Sequence, residues 1–149
     1  MFLIFLLPSS SDYMPEKKII VGTIKQKALF NATPEEVYEV LTNPKLHTKM
    51  TGARATGAPK AGAKITAWDG YITGKNIKLT KGKMILQQWE TDQWPKGYKA
   101  STLKITIKPK GKGTELTMLQ TNVPKEQMGD YADGWKRYYW AKMKKFFKN

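Results

Sequence analysis

The residue types that most often carry enzyme chemistry are scarce in this sequence. It has one histidine, His47, and no cysteine. Without cysteine there are no disulfides, thiolate metal sites or cysteine nucleophiles, and one imidazole excludes sites built on two histidines. His47 could act as a general base at a cavity mouth, but no carboxylate lies near it in sequence to orient it. We expect instead a solvent-exposed or helix-capping histidine.

Three glutamates, Glu35, Glu36 and Glu39, lie close together, and paired carboxylates can do acid–base work. Thr33 and Pro34 precede them with the spacing of a helix start. In that arrangement Thr33 is the N-cap, Pro34 is the first helical residue and Glu36 closes a capping box. The helix N-terminus therefore accounts for these carboxylates. We predict no catalytic residue, no metal site and no cofactor.

Aromatic residues are the remaining candidates for a site, because the chain has five tryptophans and seven tyrosines. Aromatic side chains around a cavity suit an apolar or planar ligand, and the same side chains equally suit a filled core. Seven methionines add flexible side chains that fit adaptable surfaces. We predict a pocket for a small hydrophobic ligand, lined by Trp68, Trp89, Met118, Trp135 and Tyr139.

The charge is strongly basic, with 26 lysines and arginines against 12 acidic residues and a net charge of +14. Only Arg54 and Arg137 are arginines. Specific recognition of phosphates and bases favours the planar fork of arginine, so we predict a lysine-coated solvated surface and no specific nucleic-acid partner.

The start of the chain differs from the rest. The apolar run Phe2–Leu7 is far shorter than the ~20 residues that span a bilayer, and it lacks the basic flank of a signal peptide. Either Met1 or Met14 could be the true start. We predict a flexible tail over residues 1–16, one domain over residues 17–149, no transmembrane segment and a cytoplasmic location.

Hydrophobic patterning predicts the order of elements that would position the aromatic residues. A strand over residues 19–30 precedes two short helices, Pro34–Leu41 and Lys45–Met50. Short strands separated by glycine turns follow: Lys64–Trp68, Tyr71–Thr73, Asn76–Leu79, Met84–Trp89, Tyr98–Lys108 and Thr114–Thr121. Apolar residues then recur every three or four positions over Glu126–Phe147, which is typical of a long amphipathic helix. The predicted class is α+β: a curved antiparallel sheet wrapped around a long C-terminal helix.

A succession of short motifs resembles a known family. They are Phe30–Tyr38, Asp69–Gly74, Ile85–Trp89, Gln93–Gly97, Gly113–Leu116, Asn122–Pro124 and Gly134–Trp140. In this order they resemble the C-terminal domain of the activator of heat-shock protein 90 ATPase, of the START-like (SRPBCC) helix-grip superfamily. The resemblance covers roughly residues 19–145 and implies a cavity between the sheet and the C-terminal helix.

The resemblance leaves three functions open, because one fold hosts many activities. The first is a non-catalytic domain that binds a small hydrophobic ligand in that cavity. The alternative is a protein-interaction module that modulates a heat-shock protein 90-type chaperone ATPase. The family's eukaryotic activator carries an additional N-terminal domain that contacts the chaperone, and residues 1–18 are too few to form one. The third is a small cyclase- or hydrolase-like enzyme of the same superfamily.

Overall fold

The computed structural model describes residues 18–148, so the predicted tail over residues 1–16 lies outside the described residues, as does Lys17. The predicted order of elements is confirmed. The first strand and the two short helices are β1 Val21–Phe30, α1 Pro34–Thr42 and α2 Pro44–Thr51. The strands that follow are β2 Lys64–Ala67, β3 Ile72–Thr80, β4 Met84–Thr91, β5 Ser101–Lys110 and β6 Gly113–Pro124. The C-terminal helix, α3, begins at Met128 and ends at Phe146 after a single tight turn, Lys125–Gln127.

The six strands form one antiparallel sheet in the order β1-β6-β5-β4-β3-β2. The two short helices carry the chain from β1 at one edge to β2 at the other. Side chains on β5 alternate as predicted, with Leu103, Ile105 and Ile107 buried and the residues between them exposed. The buried face of the sheet therefore meets the helices, and the other face meets solvent.

The start of α1 has the predicted capping box. The backbone N–H of Glu36 donates to the Thr33 hydroxyl at 3.1 Å, and the backbone N–H of Thr33 donates to the Glu36 carboxylate at 2.9 Å. Asn43 ends α1, and its side-chain oxygen caps α2 by accepting from the backbone N–H groups of Lys45 and Leu46. The two helices are thus fixed by local sequence.

One predicted boundary is wrong. Gly74 was expected to form a turn between two short strands, but β3 runs through it without a break. Gly74 pairs with Trp89 on β4, and a Cβ atom at this position would overlap the backbone oxygen of Gln88. The glycine is therefore needed for close approach of two strands and not for a turn.

The C-terminal helix is not uniformly α-helical. Residues Met128–Gly134 and Ala141–Phe146 are α-helical, and Trp135–Trp140 between them form a π-helical segment. The backbone N–H of Ala141 donates to the oxygen of Lys136, five residues earlier. The buried side chains of α3 are Tyr131, Trp135, Tyr139, Trp140 and Met143. The apolar stripe that the sequence predicts for a regular helix lacks Tyr131 and Trp140; its members are Met128, Ala132, Trp135, Tyr139, Met143 and Phe146.

No helix between residues 18 and 148 combines the length and the apolar character needed to cross a bilayer.

Candidate functional site: an aromatic cleft

A cleft of about 430 Å³ opens where the β2–β3 turn, β4 and α3 meet. Its walls are mainly aromatic: Trp68, Tyr71, Trp89, Tyr131, Trp135, Tyr138 and Tyr139. Tyr71 and Tyr138 are 39% and 50% exposed, so the mouth of the cleft is open to solvent. The volume lies in the range of pockets that hold small organic molecules.

Trp68 reaches the cleft from an unusual turn. Trp68 and Asp69 have φ angles of 53° and 58°, and Gly70 follows with 90°, so three consecutive residues are left-handed. The first two lack the freedom of glycine, and each is disfavoured by roughly 1–2 kcal/mol. The edge of the Trp68 ring meets Tyr138 with ring centroids 5.6 Å apart. The turn therefore holds this tryptophan against α3.

The floor of the cleft is a set of packed rings from β4 and α3. Trp89 lies 5.6 Å from Trp135 and 5.6 Å from Tyr131, measured between ring centroids. Trp94 stacks on the far side of this group, 5.6 Å from Tyr131. Aromatic pairs at such distances stabilise beyond their buried area by about 0.5–1.5 kcal/mol each. The floor is therefore rigid.

A chain of hydrogen bonds fixes Trp135. Its indole N–H donates to the Gln120 side-chain oxygen at 2.8 Å, and the Gln120 amide donates to the Ser101 hydroxyl at 3.0 Å. Ser101 then donates to the backbone oxygen of Trp89 at 2.6 Å. Gln120 and Ser101 are fully buried, so these bonds satisfy groups that would otherwise lack partners.

Behind the floor lies a second, much smaller cavity of about 50 Å³ between the sheet and the helices. The partition between the two spaces is formed by the residues that line both: Ile72, Trp89, Trp135 and Tyr139. The inner cavity has room for one or two water molecules. Where the resemblance implied a ligand cavity, between the sheet and the helices, the described residues leave this small space, and the larger opening lies at the cleft.

His47 lies at the inner cavity, and its predicted exposure is wrong. Its side chain is 7% exposed, and its Nε2 atom lies 3.0 Å from the Tyr139 hydroxyl. Burial lowers the pKa of His47 to about 4 and raises the pKa of Tyr139. Both groups are therefore neutral at pH 7, and no described residue bonds to the buried Nδ1 atom of His47. The pair is a structural link between α2 and α3.

The structure brings together four of the five predicted ligand-binding residues. Trp68, Trp89, Trp135 and Tyr139 all line the cleft. Met118 lines neither space, because its position on β6 points it into the core, where it is fully buried. Sequence reasoning missed three tyrosines of the cleft: Tyr71, Tyr131 and Tyr138. The spacing of Tyr131, Trp135 and Tyr138 on one helix would have indicated two of them.

The curved sheet, the two short helices after β1 and the long C-terminal helix define the START-like helix-grip class. Within this class the chain belongs to the family described as Activator of Hsp90 ATPase homolog 1-like protein, whose family model matches residues 31–148. The fold and the family predicted from the sequence are therefore confirmed.

Two curated relatives show the extent of the match. The human protein "Activator of 90 kDa heat shock protein ATPase homolog 1" is 34% identical over 141 residues, which cover 94% of this chain and 41% of the human protein. The Dictyostelium discoideum homologue is 32% identical over 134 residues, covering 89% and 35%. The chain thus spans less than half of the length of these relatives.

Solved structures support the same fold. "PFC0360w, an HSP90 activator" from Plasmodium falciparum has a TM-score of 0.77 at 20% identity, with 85% of this chain and 96% of that one covered. The "Aha1 dimer" from Colwellia psychrerythraea has a TM-score of 0.73 at 18% identity, with coverage of 85% and 96%. At these identities the likeness concerns the fold.

Proposed function

We propose that this domain binds an Hsp90-type chaperone and modulates its ATPase. The observation that carries the proposal is the match of 94% of the chain, at 34% identity, to a human protein named as an activator of that ATPase. Of the functions left open by the sequence, this alternative has the stronger support. It replaces ligand binding as the leading proposal.

The outer face of the sheet is the surface that we assign to the chaperone. Lys25, Leu119, Lys104 and Leu86 lie side by side in register across β1, β6, β5 and β4. The two lysines are exposed, and the two leucines are half-buried. Such a row offers both charge and apolar contact to an acidic protein surface.

A second set of lysines extends this face. The ammonium groups of Lys108 and Lys110 lie 3.3 and 3.4 Å from the Glu115 carboxylate. They hold the pKa of Glu115 below its usual range. The single carboxylate is thus shared between two lysines, and Leu29 opposite it on β1 is 55% exposed. The face keeps a positive surplus that suits an acidic partner.

The test compares two charge-reversal variants of the full chain. Lys25→Glu with Lys104→Glu changes the outer face, and Lys45→Glu with Lys49→Glu makes the same change on α2, which packs on the inner side. Binding to a purified Hsp90-type chaperone and its rate of ATP hydrolysis are measured for each. We expect the first pair to weaken binding about tenfold or more and the second pair to bind like the wild type.

Wild-type protein that neither binds the chaperone nor changes its ATP turnover would contradict the proposed function. An equal loss of chaperone binding in the two variants would contradict the assignment of the outer face, because it would show that binding depends on the net charge of the protein alone.

Ligand binding remains as a second candidate function, and the cleft is the observation that favours it. A volume of about 430 Å³ with aromatic walls and an open mouth suits a small molecule with an apolar body. Titration of the protein with small aromatic compounds, followed by tryptophan fluorescence, tests this candidate. The absence of any saturable change would reject it.

A further inference from the structure

The aromatic cleft differs in charge from the rest of the molecule. The protein carries a net charge of +14, yet of the described residues that line the cleft Asp130 alone is charged. Two other acidic residues adjoin residues that line the cleft. Asp69 follows Trp68 in the β2–β3 turn, and the backbone N–H of Asp92 donates to the oxygen of Tyr71 at 2.9 Å. Asp130 therefore lines the cleft itself, and Asp69 and Asp92 are next to its walls in the chain or through a backbone hydrogen bond.

The negative charge at the mouth reaches into the cleft. The pKa of Tyr131 is raised, first by burial and then by Tyr71 and the carboxylates of Asp130 and Asp92, while its hydrogen bond with Thr91 lowers it. Burial disfavours charge of either sign, but the contribution of the two carboxylates favours a positive charge at the same place. These carboxylates thus lower the positive potential near the cleft of a strongly basic protein.

The aromatic rings are themselves suited to a cation. The ammonium group of Lys142 lies 5.8 Å from the centroid of the Trp68 ring, which is within the usual range of a cation–π contact. Lys142 itself does not line the cleft. No described basic residue lines the cleft.

The turn that carries Trp68 also fixes the acidic residue that follows it. The Asp69 carboxylate accepts a hydrogen bond from the backbone N–H of Arg54 at 2.9 Å. Both Trp68 and Asp69 keep their disfavoured left-handed backbone within this turn. Such strain is common at ligand sites, where it holds side chains in place before a ligand arrives.

We propose that the cleft binds a small organic cation, in which an amine or quaternary ammonium group is attached to an apolar body. The apolar body lies against Trp89 and Trp135, and the ammonium group lies at the mouth beside Asp130. The inference rests on the second candidate function, ligand binding in the cleft, and specifies the charge of the ligand. It does not depend on the chaperone partner.

The test uses three compounds of nearly the same size and different charge: 2-phenylethylammonium, 2-phenylethanol and phenylacetate. Each is titrated into the full chain at low ionic strength, and binding is followed by tryptophan fluorescence. We expect the cation to bind about tenfold more tightly than the alcohol, and the anion to bind most weakly.

A matched pair of variants locates the charge effect. Asp130→Asn removes the carboxylate that lines the cleft, and Asp133→Asn removes one from the same helix that is exposed and paired with Arg137 at 3.4 Å. We expect the preference for the cation to fall several-fold in Asp130→Asn and to stay unchanged in Asp133→Asn.

The outcomes distinguish the preference for a cation from ligand binding in the cleft. A cation that binds no more tightly than the alcohol would overturn the inference and leave an apolar site, as the second candidate function describes. A cation preference that persists in Asp130→Asn would also overturn the assigned site. No binding of any of the three compounds would overturn both the inference and the ligand-binding function.

Discussion

The indole nitrogen of Trp135 lies 2.8 Å from the side-chain oxygen of Gln120 and joins the C-terminal helix to the centre of the sheet. Gln120 has no exposed surface, so its oxygen has no access to solvent in the folded protein. The same tryptophan lines the cleft. This one side chain therefore serves the stability of the domain and the shape of its candidate site.

We expect Trp135→Phe to be clearly destabilising, because it leaves the buried Gln120 oxygen without a donor. The loss should be about 1–3 kcal/mol, to which the missing ring volume adds. Trp94→Phe is the matched control, since the Trp94 indole donates to the exposed backbone oxygen of Lys99, which water can satisfy. Urea unfolding of both variants measures the difference. Equal losses would contradict the role assigned to Gln120.

The buried His47 should make stability depend on pH. Above pH 6.5 the imidazole is neutral in both the folded and the unfolded chain. As the pH falls towards the folded pKa of about 4, the unfolded chain binds a proton that the folded chain does not. The free energy of unfolding should therefore fall by roughly 2 kcal/mol between pH 7 and pH 5.

Two variants isolate this effect, because His47 is the only histidine and few other groups titrate between pH 5 and 7. In His47→Gln the free energy of unfolding should change little over this range. In Tyr139→Phe the imidazole remains, so the dependence on pH should remain. A His47→Gln protein with the wild-type slope would show that another group is responsible.

Gly74→Ala should destabilise the sheet, since the added Cβ atom would overlap the backbone of β4 and force two strands apart. We expect a loss of about 1–3 kcal/mol, as for other overpacked sites. Gly129→Ala on the helix is the control, because a Cβ there meets no atom within 4 Å and its stability should be unchanged or raised by up to about 1 kcal/mol. Thermal unfolding compares the two. A harmless Gly74→Ala would argue against close strand approach.

Tyr138→Ala should separate binding from stability. The side chain is 50% exposed and meets Trp68 at the mouth of the cleft, so its removal leaves the core unchanged. The free energy of unfolding should shift by less than about 0.5–1 kcal/mol, while the affinity for 2-phenylethylammonium should fall several-fold. Calorimetric titration and urea unfolding provide the two readings. Unaltered affinity would place the ligand elsewhere.

Features set by neighbouring residues could be predicted from the sequence. The capping box needs only Thr33, Pro34 and Glu36, and its hydrogen bonds join residues three positions apart. The burial of His47 depends on Tyr139, which is 92 positions away, so local patterning predicted an exposed histidine. Contacts of this kind arise only when the chain has folded.

In the candidate site, too, some features could be predicted from the sequence and others depend on tertiary contacts. Aromatic composition predicts four residues that line the cleft, whereas the inclusion of Met118 ignores the direction in which β6 presents its side chains. Gly74 illustrates a further limit, because a glycine at a close approach and a glycine in a turn look the same in sequence. Tertiary contacts decide between them.

The π-helical segment Trp135–Trp140 also sets the length of the C-terminal helix. Trp135 and Trp140 are five positions apart and still stack, with ring centroids 5.3 Å apart and planes inclined by 16°. In a regular α-helix, residues four positions apart lie on the same face. The π-helical turn contains one extra residue, so here residues five positions apart do. Deletion of the exposed Arg137 would restore the regular spacing. Insertion of one residue would instead rotate Met143 out of the core, so the helix should accept shortening in this segment more readily than lengthening.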